Sequence, residues 1–214
     1  MTPIIDVSDE TLEELTKLNI PYAPVTLPKS KVEVVSGHYI EIPNLKLAVA
    51  RKRTHQGKNW HEAHDALKQE GARMLTPPEF VEVLKYTQEN APEVYEDITA
   101  VREPWRAEWL DACFEQRQDG LYVLTQHKTN AEKLDEDTLM ENRTPGISLE
   151  GWLEEPTEQG LPKSDIWEGD LFYWFPTNDS IAGFGAGSGR AVLDCNGVPS
   201  DGDSGFGVRA AKQA

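Results

Sequence analysis

With 214 residues, the chain is long enough to bury one sizeable core, and its 38% hydrophobic and 27% charged residues are typical of a globular protein. Its formal net charge is −16, from 37 acidic and 21 basic residues. This charge argues against duplex nucleic acid as a partner, because phosphate binding needs clustered lysine and arginine. No apolar run approaches the roughly 18 residues that a membrane-spanning helix needs, so we expect no membrane insertion.

Residues 1–36 are predicted to be an appendage with one short helix. Ser8 is expected to cap this helix, which would run from Asp9 to Leu18, and three prolines between residues 21 and 28 then interrupt the chain. The segment is similar to the opening of ribbon-helix-helix proteins but lacks the basic or amide side chains that contact bases. We therefore expect its helix to dock on the main domain or on a partner, and docking on a partner would allow an oligomer to form. The opening residues also lack a basic and then an apolar stretch, which predicts no secretory signal. The protein would be made in a cytoplasm, and display on a virion or a cell surface is compatible with that.

Residues 37–214 are predicted to form the main domain. Alternating apolar residues over 39–52 predict two strands on either side of Pro43–Asn44. A helix is expected from Asn59 to about Gly71, with Trp60, Ala63 and Leu67 facing inward.

A second helix is predicted to open at Thr76, which precedes two prolines suited to a first turn. Residues 109–114 and 121–127 then indicate a hairpin around Asp119–Gly120. Residues 129–165 are acidic and mixed, and are expected to be irregular with short helices. Grouped helices followed by many short strands predict an α+β fold.

The segment 175–206 has an unusual composition. It contains no Lys, Glu, Gln, Met or Trp, although these five types make up 50 of the first 174 residues. A glycine- and aspartate-rich loop region would be poor in helix-forming residues for ordinary reasons. However, the five missing types are also those that no codon ending in C specifies. An asparagine codon, AAC or AAT, that is randomised at its two adenines yields the other fifteen residue types. Mutagenesis of adenines in asparagine codons would therefore leave this gap.

The same segment alternates with a period of two. One set of positions, expected to face the core, is Ala182, Phe184, Ala186, Ser188, Arg190, Ala191, Leu193 and Cys195. The other set is small or polar and contains four glycines, which contribute nothing to core packing. The pattern indicates a scaffold that keeps its inward residues while its outward residues change.

The frame A-x-F-x-A-x-S-x-R-A-x-L-x-C-x-x-x-P-S-x-x-x-S-x-x-G-V-R-A-A, from Ala182 to Ala211, resembles the variable proteins of diversity-generating retroelements. N-W-H-E-A-H-D-A-L at 59–67 and G-A-R-M-L-T-P-P-E-F at 71–80 resemble the helices of the same family. The resemblance implies a C-type-lectin-like fold, shared with formylglycine-generating enzymes, with two helices packed on short antiparallel strands. It also implies that residues 45–52 and 205–211 pair and close the fold.

The resemblance implies a non-catalytic protein that recognises an external protein or glycan, with no cofactor. Side chains at the x positions of the frame would form its binding face: Gly183, Gly185, Gly187, Gly189, Val192, Asp194, Asn196, Gly197, Val198, Asp201, Gly202, Asp203, Gly205 and Phe206. An upstream extension of this face is expected at Phe172, Tyr173, Phe175, Thr177 and Asp179, although the apolar run 171–175 also fits a buried strand. Arg190 and Arg209 are expected to pair with acids or carbonyls instead.

Two alternatives remain open at this point. A formylglycine-generating-like enzyme would need a redox-active cysteine pair, and Cys113 and Cys195 lie in no cysteine motif of that kind. A calcium-dependent sugar-binding lectin would need a Glu-Pro-Asn or Gln-Pro-Asp tripeptide, which is absent, although Asp194, Asp201 and Asp203 offer oxygen ligands.

A metal site at His61 and His64 is geometrically possible, because residues three apart share a helix face. No third ligand is evident in the sequence, and we expect His64 to be packed beneath the fold instead.

Overall fold

A computed structural model describes residues 37–128 and 130–214. The predicted appendage and its helix, residues 1–36, lie outside the described residues. The helices are α1 (Trp60–Gln69), α2 (Pro77–Asn90), α3 (Pro92–Thr99) and α4 (Leu149–Glu154). The strands are β1 (Tyr39–Ile42), β2 (Leu47–Ala50), β3 (Arg106–Arg117), β4 (Gly120–Leu124), β5 (Glu132–Lys133), β6 (Arg143–Ile147), β7 (Leu171–Trp174), β8 (Ile181–Gly187), β9 (Arg190–Gly197), β10 (Phe206–Gly207) and β11 (Ala211–Gln213). The fold is α+β with mostly sheet, as predicted.

The strands form two sheets. The small sheet has the order β1-β2-β11, and the large sheet has the order β5-β4-β3-β8-β9-β7-β6, with β10 paired to β3. In the small sheet, β11 pairs antiparallel with β2 and places Ala211 opposite Val49, so the predicted pairing between the start and the end of the domain is confirmed. This pairing holds the C-terminal segment of the domain against its first strands.

Helices α1 and α2 begin where the sequence predicts. The Asn59 side chain accepts a hydrogen bond from the Glu62 N–H, and the Glu62 carboxylate accepts one from the Asn59 N–H. This reciprocal arrangement satisfies two N–H groups that a helix start would leave unpaired. At α2 the Glu79 carboxylate accepts the Thr76 N–H and pairs with Arg73 at 2.6 Å. Trp60, Ala63 and Leu67 are buried, as expected for the inner face of α1.

Other elements depart from the sequence-based expectation. Helix α3 follows α2 after Ala91 and was not predicted, since its eight residues carry few signals beyond the proline at its start. The hairpin of β3 and β4 is confirmed, but β3 begins earlier and ends later than residues 109–114. The segment expected to be irregular holds β5 and β6 as well as the short α4.

Arg209 is the largest buried cation of the core, with a relative exposure of 2%. Its guanidinium donates to Glu108 at 2.6 and 3.0 Å, to Asp97 at 3.0 Å and to the Ala50 carbonyl at 2.9 Å. Burial alone would lower the Arg209 pKa, but the neighbouring Glu108 and Asp97 carboxylates raise it above the ordinary value. The expected role of Arg209 in pairing with acids is confirmed, and the pairs tie β2, α3 and β3 to the chain end.

None of the helices in the described part of the chain is both long enough and apolar enough to cross a membrane.

Candidate functional site

The four strands β3, β8, β9 and β7 present two contrasting faces. One row of paired residues runs Glu108, Phe184, Leu193 and Tyr173 across the strands, and all four are buried. We call this side the inner face. The next row runs Trp109, Gly183, Asp194 and Trp174. Side chains of successive residues point to opposite sides of a sheet, so this second row lies on the other side, the outer face.

The inner face contains most of the residues that the period of two assigned to the core. Phe184, Ala186, Leu193 and Cys195 are each at most 2% exposed, in agreement with the prediction. The prediction is wrong for Ser188 and Arg190, which are exposed. These two residues flank Gly189 at the turn between β8 and β9, where the alternation of strands no longer applies.

Strand β7 corrects the predicted extension of the binding face. Tyr173 was expected on that face, but its side chain is fully buried and its hydroxyl donates to the Leu139 carbonyl at 3.0 Å. Its neighbours Phe172 and Trp174 point the other way, and Trp174 is 40% exposed. Trp174 was not predicted as a site residue, because the uniformly apolar run L-F-Y-W does not show which of its residues point outward.

A groove of about 330 Å³ lies on the outer face. Its lining residues are Glu103, Trp105, Ala107, Trp109, Gly183, Gly185, Ala186, Gly187, Ser188, Arg190, Val192, Asp194 and Phe206. The predicted binding residues among them are Gly183, Gly185, Gly187, Val192, Asp194 and Phe206. Residues that are scattered over 24 positions of sequence therefore share one concave surface, which we call the outer groove.

Aromatic rings form one wall of the outer groove. Phe206 stacks on Trp109 with ring centroids 3.7 Å apart, and Trp105 meets Phe206 edge-on at 5.2 Å. Trp109 is held by the hydrogen bond from its indole N–H to the Lys58 carbonyl. Trp105 is 41% exposed, so its ring is available to a ligand. The sequence did not predict Trp105 or Trp109 as site residues, because no strand pairing was known that would bring them beside β8.

Glycines form the floor of the outer groove. A methyl group added at Gly183 would lie 3.4 Å from the Trp109 ring, and one at Gly187 would lie 3.2 Å from Cβ of Trp105. These are tight contacts but not severe clashes. Gly189 is different: its φ of +94° closes the turn and favours glycine regardless of space. The floor is therefore open because side chains are missing, while the turn has a conformational requirement.

Asp194 is the charged residue of the floor. Its carboxylate accepts the Asn196 N–H at 2.8 Å, and it forms no salt bridge with any residue the structure describes. Burial raises the Asp194 pKa above its ordinary value, and the hydrogen bond from Asn196 opposes this effect only in part. The expected pairing of Arg190 with acids or carbonyls is wrong for the described residues, because Arg190 is exposed, lines the groove and holds its guanidinium 4.4 Å from the centre of the Phe172 ring.

The remaining predicted binding residues lie outside the outer groove. They are Phe172, Phe175, Thr177, Asp179, Gly189, Asn196, Gly197, Val198, Asp201, Gly202, Asp203 and Gly205. Phe175 packs partly against the core, and the Thr177 hydroxyl donates to the Asn196 side chain at 2.6 Å. Gly205 lies against Trp105, where an added methyl group would meet the ring at 2.8 Å. The predicted set is thus divided between the groove and its surroundings.

The carboxylates proposed as calcium ligands make local hydrogen bonds. Asp201 accepts the Asp203 N–H at 3.2 Å, and Asp203 accepts the Gly205 N–H at 2.7 Å. These bonds are typical of tight turns in aspartate-rich loops. Among residues 37–128 and 130–214, no group of three or more His, Cys, Asp or Glu side chains is arranged to hold a metal ion.

His64 lies in a buried polar cluster instead. Its Nε2 atom is 3.4 Å from the Asp111 carboxylate, which is fully buried and also accepts from His127 at 2.7 Å and from the Gln126 N–H at 2.8 Å. His64 packs edge-on against Trp60. Burial lowers the His64 pKa, and the nearby Asp111 opposes this shift only in part. The expected packing of His64 beneath the fold is confirmed.

Both cysteines are free thiols. Burial raises the Cys113 pKa and raises the Cys195 pKa well above its ordinary value. The thiolate is the reactive form of cysteine, so these environments lower reactivity instead of promoting it.

No protein-family model, curated protein or solved structure matches the chain.

Proposed function

We propose that this protein is a non-catalytic recognition protein with a C-type-lectin-like fold, whose outer groove binds an external ligand and whose groove residues are diversified by a retroelement. One observation carries the proposal. Six positions at which the sequence frame allows change line one groove, together with the fixed Ala186, Ser188 and Arg190, while the fixed positions Phe184 and Leu193 lie beneath it in the core. A protein that varies its ligand while keeping its fold needs this separation.

The surroundings of the outer groove support binding. Concave surfaces with aromatic walls and a few polar groups are the usual form of ligand sites. Trp105 and Phe206 supply apolar contact area, and Asp194 supplies a polar group on the floor. Rigid aromatic side chains contribute such area at a low cost in conformational entropy.

The enzymatic alternative lacks chemical support. Oxidative thiol chemistry needs a thiolate, yet burial raises the pKa of both Cys113 and Cys195. The groove lining contains two carboxylates, Glu103 and Asp194, and within the described residues no nucleophile there is hydrogen-bonded to a base. These features favour recognition over catalysis.

Sequencing the 3′ end of the gene and its downstream DNA across the source population tests the proposal. We expect substitutions to concentrate at the codons of the x positions between 183 and 206. We also expect a near-copy of the segment, with adenines at those codons, beside a reverse-transcriptase gene. An invariant segment with no such copy would contradict the proposal.

A further inference from the structure

The outer groove contains a negative charge that the protein does not neutralise. Asp194 is partly buried, yet its carboxylate accepts only the Asn196 N–H and forms no salt bridge within the described residues. A partly desolvated carboxylate without a cation is unfavourable, and the raised Asp194 pKa reflects this. A ligand that supplies a positive charge would remove that cost.

Aromatic residues lie on both sides of this carboxylate. Asp194 pairs with Trp174 on one neighbouring strand and with Gly183 on the other, and Gly183 pairs in turn with Trp109. Neighbouring strands lie about 4.8 Å apart, so the indole of Trp174 is within reach of a group bound to Asp194. Gly183 has no side chain, and the Trp109 ring lies against it, since a methyl group added there would be 3.4 Å from that ring.

The other charges of the outer groove do not satisfy Asp194. Arg190 lies four residues away along β9, a separation of about 13 Å in a strand, and stacks on Phe172. Glu103 adds a second carboxylate to the lining, so acids outnumber bases there. The whole chain carries a net charge of −16, which attracts cationic partners over long range.

We propose that the outer groove binds a cationic side chain of a protein partner, an arginine or a lysine, with Asp194 as its counter-ion and the exposed Trp174 ring, beside Asp194 at the edge of the groove, as its contact surface. The inference rests on the proposed function, because it names the ligand chemistry of the same groove. Arginine fits best, since a planar guanidinium stacks on aromatic rings and bonds a carboxylate through two N–H groups.

The test is a titration of the full chain with Nα-acetyl-arginine amide. Binding is monitored through the indole N–H signals of the protein's tryptophans in two-dimensional NMR spectra. Nα-acetyl-citrulline amide is the matched neutral probe, and methyl α-D-mannopyranoside represents a glycan. Asp194→Asn removes the proposed counter-ion. Glu136→Gln makes the same change of charge at an exposed residue that does not line the groove.

We expect the arginine probe to shift the Trp174 signal, and the citrulline probe to bind about tenfold more weakly, as expected for the loss of a charged pair. Asp194→Asn should weaken arginine binding by a similar factor and leave citrulline binding unchanged, while Glu136→Gln should change neither. Equal binding of arginine and citrulline, or groove shifts caused by the mannoside alone, would overturn the inference and leave the groove as a ligand site. No groove shifts with any probe would also overturn it, whereas the proposed function depends on the population sequencing.

Discussion

The two faces of the β3-β8-β9-β7 strands differ in the size and burial of the side chains that form them. The inner face is filled by large side chains such as Phe184, Leu193 and Tyr173, each almost fully buried. The outer face is formed by glycines, Val192 and Asp194, with an open groove above them. Since alternate residues of one strand serve the two faces, a single segment can conserve a core and present a changeable surface.

A second difference lies within the outer groove itself. Its floor comes from positions that the sequence frame allows to change, while much of its aromatic wall comes from Trp105 and Trp109, outside that frame. Under the proposed function, Trp105 and Trp109 would provide contact area that does not depend on the variant. A floor rich in glycine would then be compatible with ligand binding.

The largest effect is expected on the inner side, at the ion pairs of Arg209. Arg209→Met would leave the Glu108 carboxylate buried without its cation, which costs about 3–5 kcal/mol of unfolding free energy. Urea unfolding followed by fluorescence measures this loss. Arg51→Met, which removes an exposed pair with Glu93, is the control and should cost less than about 1 kcal/mol. Similar losses for both variants would contradict the buried role of Arg209.

Adjacent positions of β9 provide the sharpest test of the two faces. Leu193→Ala should lower the free energy of unfolding by about 2–5 kcal/mol, because it leaves a cavity in the core. Val192→Ala, one residue earlier on the outer face, should cost below about 1 kcal/mol. Thermal and urea unfolding of both variants checks the contrast, and equal losses would show that the faces are not distinct.

The position of His64 predicts a pH dependence of stability. Its folded pKa lies below the ordinary value, so the unfolded state binds the proton more readily. The contribution of neutral His64 to the free energy of unfolding is therefore fully present above about pH 6.5. It is lost as the pH falls, by no more than about 1.4 kcal/mol per pH unit. His64→Gln should reduce this slope in unfolding experiments between pH 7.5 and 5.5. An unchanged slope in the His64→Gln variant would contradict this assignment.

The smallest effect on stability is expected at Asp194. Its raised pKa means that folding disfavours the charged carboxylate, a cost present above the folded pKa and relieved as the pH falls. Asp194→Asn should therefore leave the free energy of unfolding at neutral pH within about 0.5 kcal/mol of the original, or raise it. A loss of several kcal/mol would assign Asp194 a role in the fold instead of the groove.

Much of the fold follows from local patterns in the sequence. Asn59 and Thr76 mark helix starts through their side chains and the residues that follow. Outside the turn at 188–190, the period of two over 182–195 separates inner from outer residues. Helix α3 was missed because it carries few local signals. The start of β3, residues 106–108, was missed because Glu108 is buried there by its pairing with Arg209, 101 residues away.

The site was predictable only in part, for a related reason. Gly183, Val192 and Asp194 followed from the alternation, but Trp105 and Trp109 reach the groove through the pairing of β3 with β8, which no local pattern reveals. Tyr173 was assigned to the wrong face because an apolar run does not show which of its residues points inward. Partners distant in sequence therefore determine the part of the site that was missed.

The central claim is that the outer groove can change its residues and bind new ligands without loss of the fold. A display library with the six groove positions of the frame randomised tests it, against a matched library randomised at exposed positions outside the groove: Glu89, Asn90, Glu136, Glu141, Glu154 and Glu158. Both libraries are sorted for folded protein and then for binding to a panel of unrelated purified proteins. We predict that most members of both libraries fold, and that binders come predominantly from the groove library. A groove library that is mostly unfolded, or that yields no more binders than the control library, would contradict the account.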